Sequence, residues 1–114
     1  MTDARAANSR TPVLVVDDNE DVRDALRMML ESEGLTVETA ADGEQALERM
    51  RESPPAVVLL DLNMPHVDAY GFRERQLRAP DLMSVPVVLY SGAADVKEAA
   101  HELGIEAWFA KPFD

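Results

Sequence analysis

Polar side chains stand where apolar runs stop: Asp17 and Asp18 after "VLVV", Asp61 after "VVLL", Ser91 after "VVLY" and Lys111 after "WFA". Three carboxylates brought into one pocket repel one another by up to about 4 kcal/mol per close pair at an effective dielectric of about 20. A hard divalent cation offsets that repulsion. Mg2+ takes one or two carboxylates, keeps several waters and leaves positions for phosphate oxygens. No His or Cys stands at ligand spacing, so zinc is disfavoured. Lys111, a compact cation with rotatable donors, suits Asp61 when the pocket is empty and a phosphoryl group when it is filled.

Bringing these groups together requires strands that end at one rim. "TPVLVVDD" carries Val13, Leu14, Val15 and Val16 without alternation, the pattern of a strand covered on both faces of a parallel sheet. In "NEDVRDALRMMLESEG" the apolar residues Val22, Leu26, Met29 and Leu30 recur at helical spacing, with Asp18 or Asn19 to cap the start and Gly34 to stop the helix. "LTVETA" predicts a short strand, and Asp42 with Gln45 a capping box opening "GEQALERMRE", where Ala46, Leu47 and Met50 share a face. Pro54 and Pro55 lead to the third strand, "AVVLLD"; after a loop through Met64 and Pro65, Asp68 caps a helix carrying Phe72 and Leu77. "VPVVLYS" reads as a fourth strand and "EAWFA" as a fifth. Between them "ADVKEAAHELG" predicts a helix turning Val96, Ala99, Ala100 and Leu103 inward, with Gly104 as its C-terminal cap. Met28, Met29 and Met50 read as core or near-core packing.

Strict alternation of strand and helix predicts an α/β fold, a doubly wound five-stranded parallel sheet with helices on both faces. Ligands bind such sheets beyond the carboxyl ends of the strands, where strand order reverses. In the flavodoxin-like order 2-1-3-4-5 the first and third strands are neighbours, and Asp61 then shares a pocket with Asp17 and Asp18.

Composition bounds the rest. The 114 residues fit one domain, expected as a flexible tail over residues 1–11 and a folded unit over 12–114. With 22 acidic against 11 basic residues, a formal charge of -11, the chain lacks the basic footprint of a nucleic-acid binder. Without cysteine, disulfides and thiol chemistry are excluded. No apolar run approaches the roughly 20 residues of a membrane span, and "MTDARAANSR" lacks the apolar stretch of a secretory signal, so a cytoplasmic location without a membrane partner is expected.

Taken in order, Asp17-Asp18, "LLDLNMP", Ser91 and the "KPF" of Lys111-Pro112-Phe113 resemble the receiver domain of two-component response regulators, of the chemotaxis-regulator type, from about Val13 to the last residue. The resemblance implies that Asp61 accepts a phosphoryl group from a phosphohistidine on a partner kinase or phosphotransfer protein. It implies Mg2+ (or Mn2+) held by the Asp18 and Asp61 carboxylates, by the backbone carbonyl of Asn63, and by Asp17 mainly through water. Ser91 would donate its hydroxyl to the bound phosphoryl group, Lys111 would stabilise its charge, and Pro112 would be cis, turning Lys111 inward. Trp108 occupies the aromatic switch position, and a rotamer change there would couple phosphorylation to the surface of the fourth helix and fifth strand. Such a domain is a signalling switch rather than an enzyme, limited to self-phosphorylation and slow autodephosphorylation, and it passes its state to an output partner or domain.

This sequence departs from the family pattern at three places. His66 and Ala69 stand where Gly is frequent, which predicts a different loop path. Gly92 follows Ser91 where Ala is common, and the fifth helix that normally follows "KPF" is absent from the chain, leaving an apolar sheet face to be covered by another chain or exposed by truncation. A homodimer through that face, or through the fourth helix and fifth strand, is therefore among the expected partners. Two rival functions remain: a pseudo-receiver that binds partners without phosphorylation, and a Mg2+-dependent phosphohydrolase with an aspartyl nucleophile. The latter wants a second Asp two residues after the first, where this chain has Asn63.

Overall fold

The computed structural model describes residues 12–64, 68–92 and 96–110. In chain order the elements are β1 (Val13–Val16), α1 (Glu20–Ser32), β2 (Val37–Ala40), α2 (Gly43–Glu52), β3 (Val57–Asp61), α3 (Ala69–Arg78), β4 (Val87–Ser91), α4 (Val96–Leu103) and β5 (Ala107–Ala110). The strands form one sheet in the order β2-β1-β3-β4-β5, every pair parallel. This is the doubly wound, flavodoxin-like arrangement expected from the alternation together with the family resemblance. The expected tail over residues 1–11 lies outside the described residues.

Successive side chains of a strand point to opposite faces of the sheet, and the core divides accordingly. Leu14, Val16, Val58, Leu60, Val87 and Leu89 face one side, where α2, α3 and α4 pack with Met50, Phe72 and Leu103 among their buried residues. Val13, Val15 and Tyr90 face the other, against Val22 and Leu26 of α1. Among the described helices α1 alone packs there, and Val37, Val57, Leu59 and Phe109 on that side are only half-buried.

Caps fix where the helices begin. The Val22 N–H donates to Asn19 Oδ1 at 3.1 Å, the Gln45 N–H to Asp42 Oδ1 at 2.8 Å and the Gly71 N–H to Asp68 Oδ1 at 2.9 Å. Gln45 Oε1 in turn accepts from the Ala41 N–H at 2.8 Å, so the expected box forms with its return bond one residue before the cap. Gly34, at φ 88°, adopts the left-handed conformation that ends α1.

Two features of the packing do not follow residue type, and the second overturns the core reading of Met28 and Met29. Leu77 is exposed, and Gln76 is buried in its place. Gln76 lies four residues after Phe72 and shares its inward face, whereas Leu77 is five residues on. The amide nitrogen of Gln76 donates to the carbonyls of Leu82 and Val85 at 3.0 and 2.9 Å, fastening the loop before β4. Met28 and Met29 are 67% and 54% exposed while Met50 is fully buried. The apolar line of α1 runs through Val22, Leu26 and Leu30, four residues apart; Met28 lies off it, and Met29, three residues after Leu26, sits at its exposed edge.

Candidate metal and phosphoryl site

The strands end in polar groups at one rim. Asp17 follows the last residue of β1, Asp61 is the last residue of β3 and Ser91 the last of β4. Val16 pairs with Leu60, which brings Asp17 level with Asp61, and Asp61 itself pairs with Tyr90. One carboxylate oxygen each from Asp17, Asp18 and Asp61 lies within 4.8 Å of the other two. Asp17 and Asp61 are buried and Asp18 is exposed, so the cluster opens to solvent on the Asp18 side. Because Asn19 rather than Asp18 caps α1, Asp18 joins the cluster.

Asp17 is gripped at several points. Its Oδ1 accepts from the Asn19 N–H at 2.9 Å, its Oδ2 accepts from the Tyr90 hydroxyl at 2.8 Å, and its main-chain carbonyl accepts from Arg23 Nη1 at 2.7 Å. Asp61 Oδ1 takes a long contact, 3.4 Å, from the Asn63 N–H, and the Asn63 side-chain amide donates to Ser91 Oγ at 3.1 Å. Asn63 thus spans from the third strand end to the fourth.

Burial, and then the Asp17 carboxylate beside it, pushes the Tyr90 phenol far above its ordinary value, so Tyr90 remains a hydrogen-bond donor. A raised folded-state value means that its contribution to stability is fully present below about pH 10, the ordinary tyrosine value. That contribution is lost as pH rises from there toward the folded value. In an alkaline absorbance titration Tyr90 should therefore ionise only together with unfolding, and the Tyr90→Phe variant should lack that late, unfolding-linked absorbance step. A step that precedes loss of far-UV circular dichroism in the parent, and is missing in the variant, would contradict the burial of this phenol.

The donor set fits a hard cation: three carboxylates with oxygens this close, and no nitrogen or sulfur ligand with them among the described residues, suit a divalent ion that prefers oxygen. Trp108 lies on β5 opposite Leu89, is 42% exposed, and borders a surface hollow with Lys97, Ala100 and His101. Lys111, Pro112 and His66 lie outside the described residues. Tyr90 and Arg23 were not anticipated from the sequence. The one signal for Tyr90 was a phenol ending the otherwise aliphatic "VVLY" immediately before Ser91; Arg23 acts on a main-chain atom, which no residue pattern encodes.

Comparison with known proteins agrees with this geometry. The family model described as "Response regulator receiver domain" matches residues 13–114. A probable transcriptional regulator, ycf27, of Guillardia theta is 36% identical over 107 residues, covering 92% of this chain and 41% of the relative. The transcriptional regulatory protein PrrA of Mycobacterium leprae is 40% identical over 103 residues, covering 89% of this chain and 43% of the relative. The chain therefore spans less than half the length of either. Among solved structures, the N-terminal domain of a response regulator receiver protein from Methanoculleus marisnigri superposes with a TM-score of 0.82 at 36% identity, covering 89% of this chain and 84% of that one.

Proposed function

The chain belongs to the response regulator receiver domain family, and on that premise we propose that Asp61 is the phosphoacceptor of a switch served by a histidine kinase or phosphotransfer protein. The observation that carries this reading is the convergence of Asp17, Asp18 and Asp61 within 4.8 Å at one rim of the sheet. A carboxylate oxygen of Asp61 attacks phosphorus, the bond from phosphorus to the donor imidazole nitrogen breaks with its electron pair going to nitrogen, and an aspartyl phosphate results. Asp18, Asp61 and the Asn63 carbonyl would hold Mg2+ (or Mn2+), with Asp17 contributing through water. When bound, the ion supplies positive charge to the equatorial phosphoryl oxygens.

Lys111 complements that charge, and Ser91 turns its hydroxyl from Asn63 toward the new phosphoryl oxygens. Drawing Ser91 inward changes the end of β4, and Trp108, on the neighbouring strand, relays the change to the surface of α4 and β5. There an output domain, a downstream partner or a second copy of the chain reads it. No helix among the described residues is long and apolar enough to cross a membrane, and the proposed setting is cytoplasmic. The folded receiver is assigned to residues 12–114.

Incubation with acetyl phosphate or phosphoramidate in Mg2+ should add the mass of one phosphoryl group, and chelation with EDTA should prevent it. No gain in the parent chain would leave a phosphorylation-independent interaction module. Rapid turnover of varied phosphate esters would instead indicate a hydrolase.

A further inference from the structure

The last two residues of β4 face opposite sides of the sheet: Ser91 meets Asn63 at the rim, while Tyr90 sits in the cluster of Val13, Val15, Val22 and Leu26. In that apolar setting a Phe or Leu would fill the space, and a phenol is tolerated only if its hydroxyl finds a partner. The closer of its two acceptors is Oδ2 of Asp17, at 2.8 Å, the other being the Val16 carbonyl at 3.4 Å. The ring that carries the hydroxyl is itself held, stacked on Phe109, its register partner on β5, with centroids 5.4 Å apart and planes 10° from parallel. With the Asn19 N–H on Oδ1 and Arg23 on the main-chain carbonyl, the Tyr90 hydroxyl fixes the rotation of a carboxylate whose backbone is already anchored.

We propose that Tyr90 is a positioning residue of the metal pocket, orienting Asp17 so that the site prefers the small, strictly octahedral Mg2+ to the larger Ca2+. This rests on the reading that the three acids hold a divalent ion. Groups that hydrogen-bond the carboxylates around a metal orient them, including one that, as read here for Asp17, holds the ion through a coordinated water, and their loss weakens binding about 10-fold or more. Mg2+ demands near-ideal geometry, whereas Ca2+ accepts variable coordination, so a carboxylate released to rotate penalises Mg2+ more.

Calorimetric titration of the parent chain and Tyr90→Phe with MgCl2 and, separately, CaCl2 tests this, with ion-free thermal melts of both proteins to establish that the ring alone preserves the fold. The expected result is an about 10-fold weaker Mg2+ affinity in the variant with a distinctly smaller loss for Ca2+. Equal losses for the two ions, or an unchanged Mg2+ affinity, would overturn the role of Tyr90 while leaving the phosphoacceptor reading intact. A parent chain that takes up no Mg2+ would overturn both. A variant that unfolds without ions would assign the hydroxyl to stability, against the proposal.

Discussion

Asp61→Asn should bring phosphoryl uptake from acetyl phosphate down to background, measured as loss of the Mg2+-dependent mass gain. The amide matches the carboxylate in size but carries no anionic oxygen, so it cannot supply the nucleophile. A second effect follows from the shared pocket. An ion that binds only the folded state stabilises it by about 2.7 kcal/mol at a free concentration of about 100 times Kd. Asp61 is one of the three clustered acids, so its loss should shrink the rise in melting temperature that Mg2+ produces in the parent. If phosphorylation persists in Asp61→Asn, the acceptor is another residue and the assignment is wrong. If Mg2+ stabilises parent and variant equally, the ion does not use this carboxylate.

The fold was legible because its physics is local. The unbroken apolar runs of β1, β3 and β4, the caps at Asn19, Asp42 and Asp68, and the positive-φ stop at Gly34 each fix an element from neighbours in sequence. Alternation of those elements leaves few topologies. Legibility failed where one helical position differs from the next by tertiary contact alone. Gln76 is a polar residue whose type predicts exposure although its spacing from Phe72 turns it inward, and two loop carbonyls and Arg73, whose Nη1 donates to its Oε1 at 2.8 Å, satisfy its amide inside the core. Met28 and Met29 fail in the converse way: apolar character predicts burial, and only the position of the sheet decides which side of α1 it covers.

The acids were legible for a different reason. A charged group ending a buried strand is expensive unless it serves a site, so Asp17, Asp18 and Asp61 could be grouped once the strand order was inferred. The hydrogen bond from Asn63 to Ser91 and the one from Tyr90 to Asp17 span 28 and 73 residues of sequence, and no spacing rule reaches that far. They depend on register, which a single sequence specifies only through the packing of every strand at once.

Leu60→Ala should cost about 2–5 kcal/mol, a large share of the about 5–15 kcal/mol that holds a domain of this size together. Leu60 is fully buried at the centre of the sheet, paired with Val16 on one side and Leu89 on the other, and it faces the side packed by three helices. A cavity there has closely packed walls, and little can collapse to fill it. The urea midpoint should fall with the slope unchanged. Leu59→Ala, the same truncation one residue earlier, removes a half-buried side chain from the face covered by α1 and should cost distinctly less. Equal losses at 59 and 60 would mean that the two faces are equally covered. Below its midpoint Leu60→Ala should still take up a phosphoryl group, since Asp61 remains, whereas Asp61→Asn should stay folded without doing so. Adjacent residues on one strand thus separate what holds the sheet from what acts at its rim.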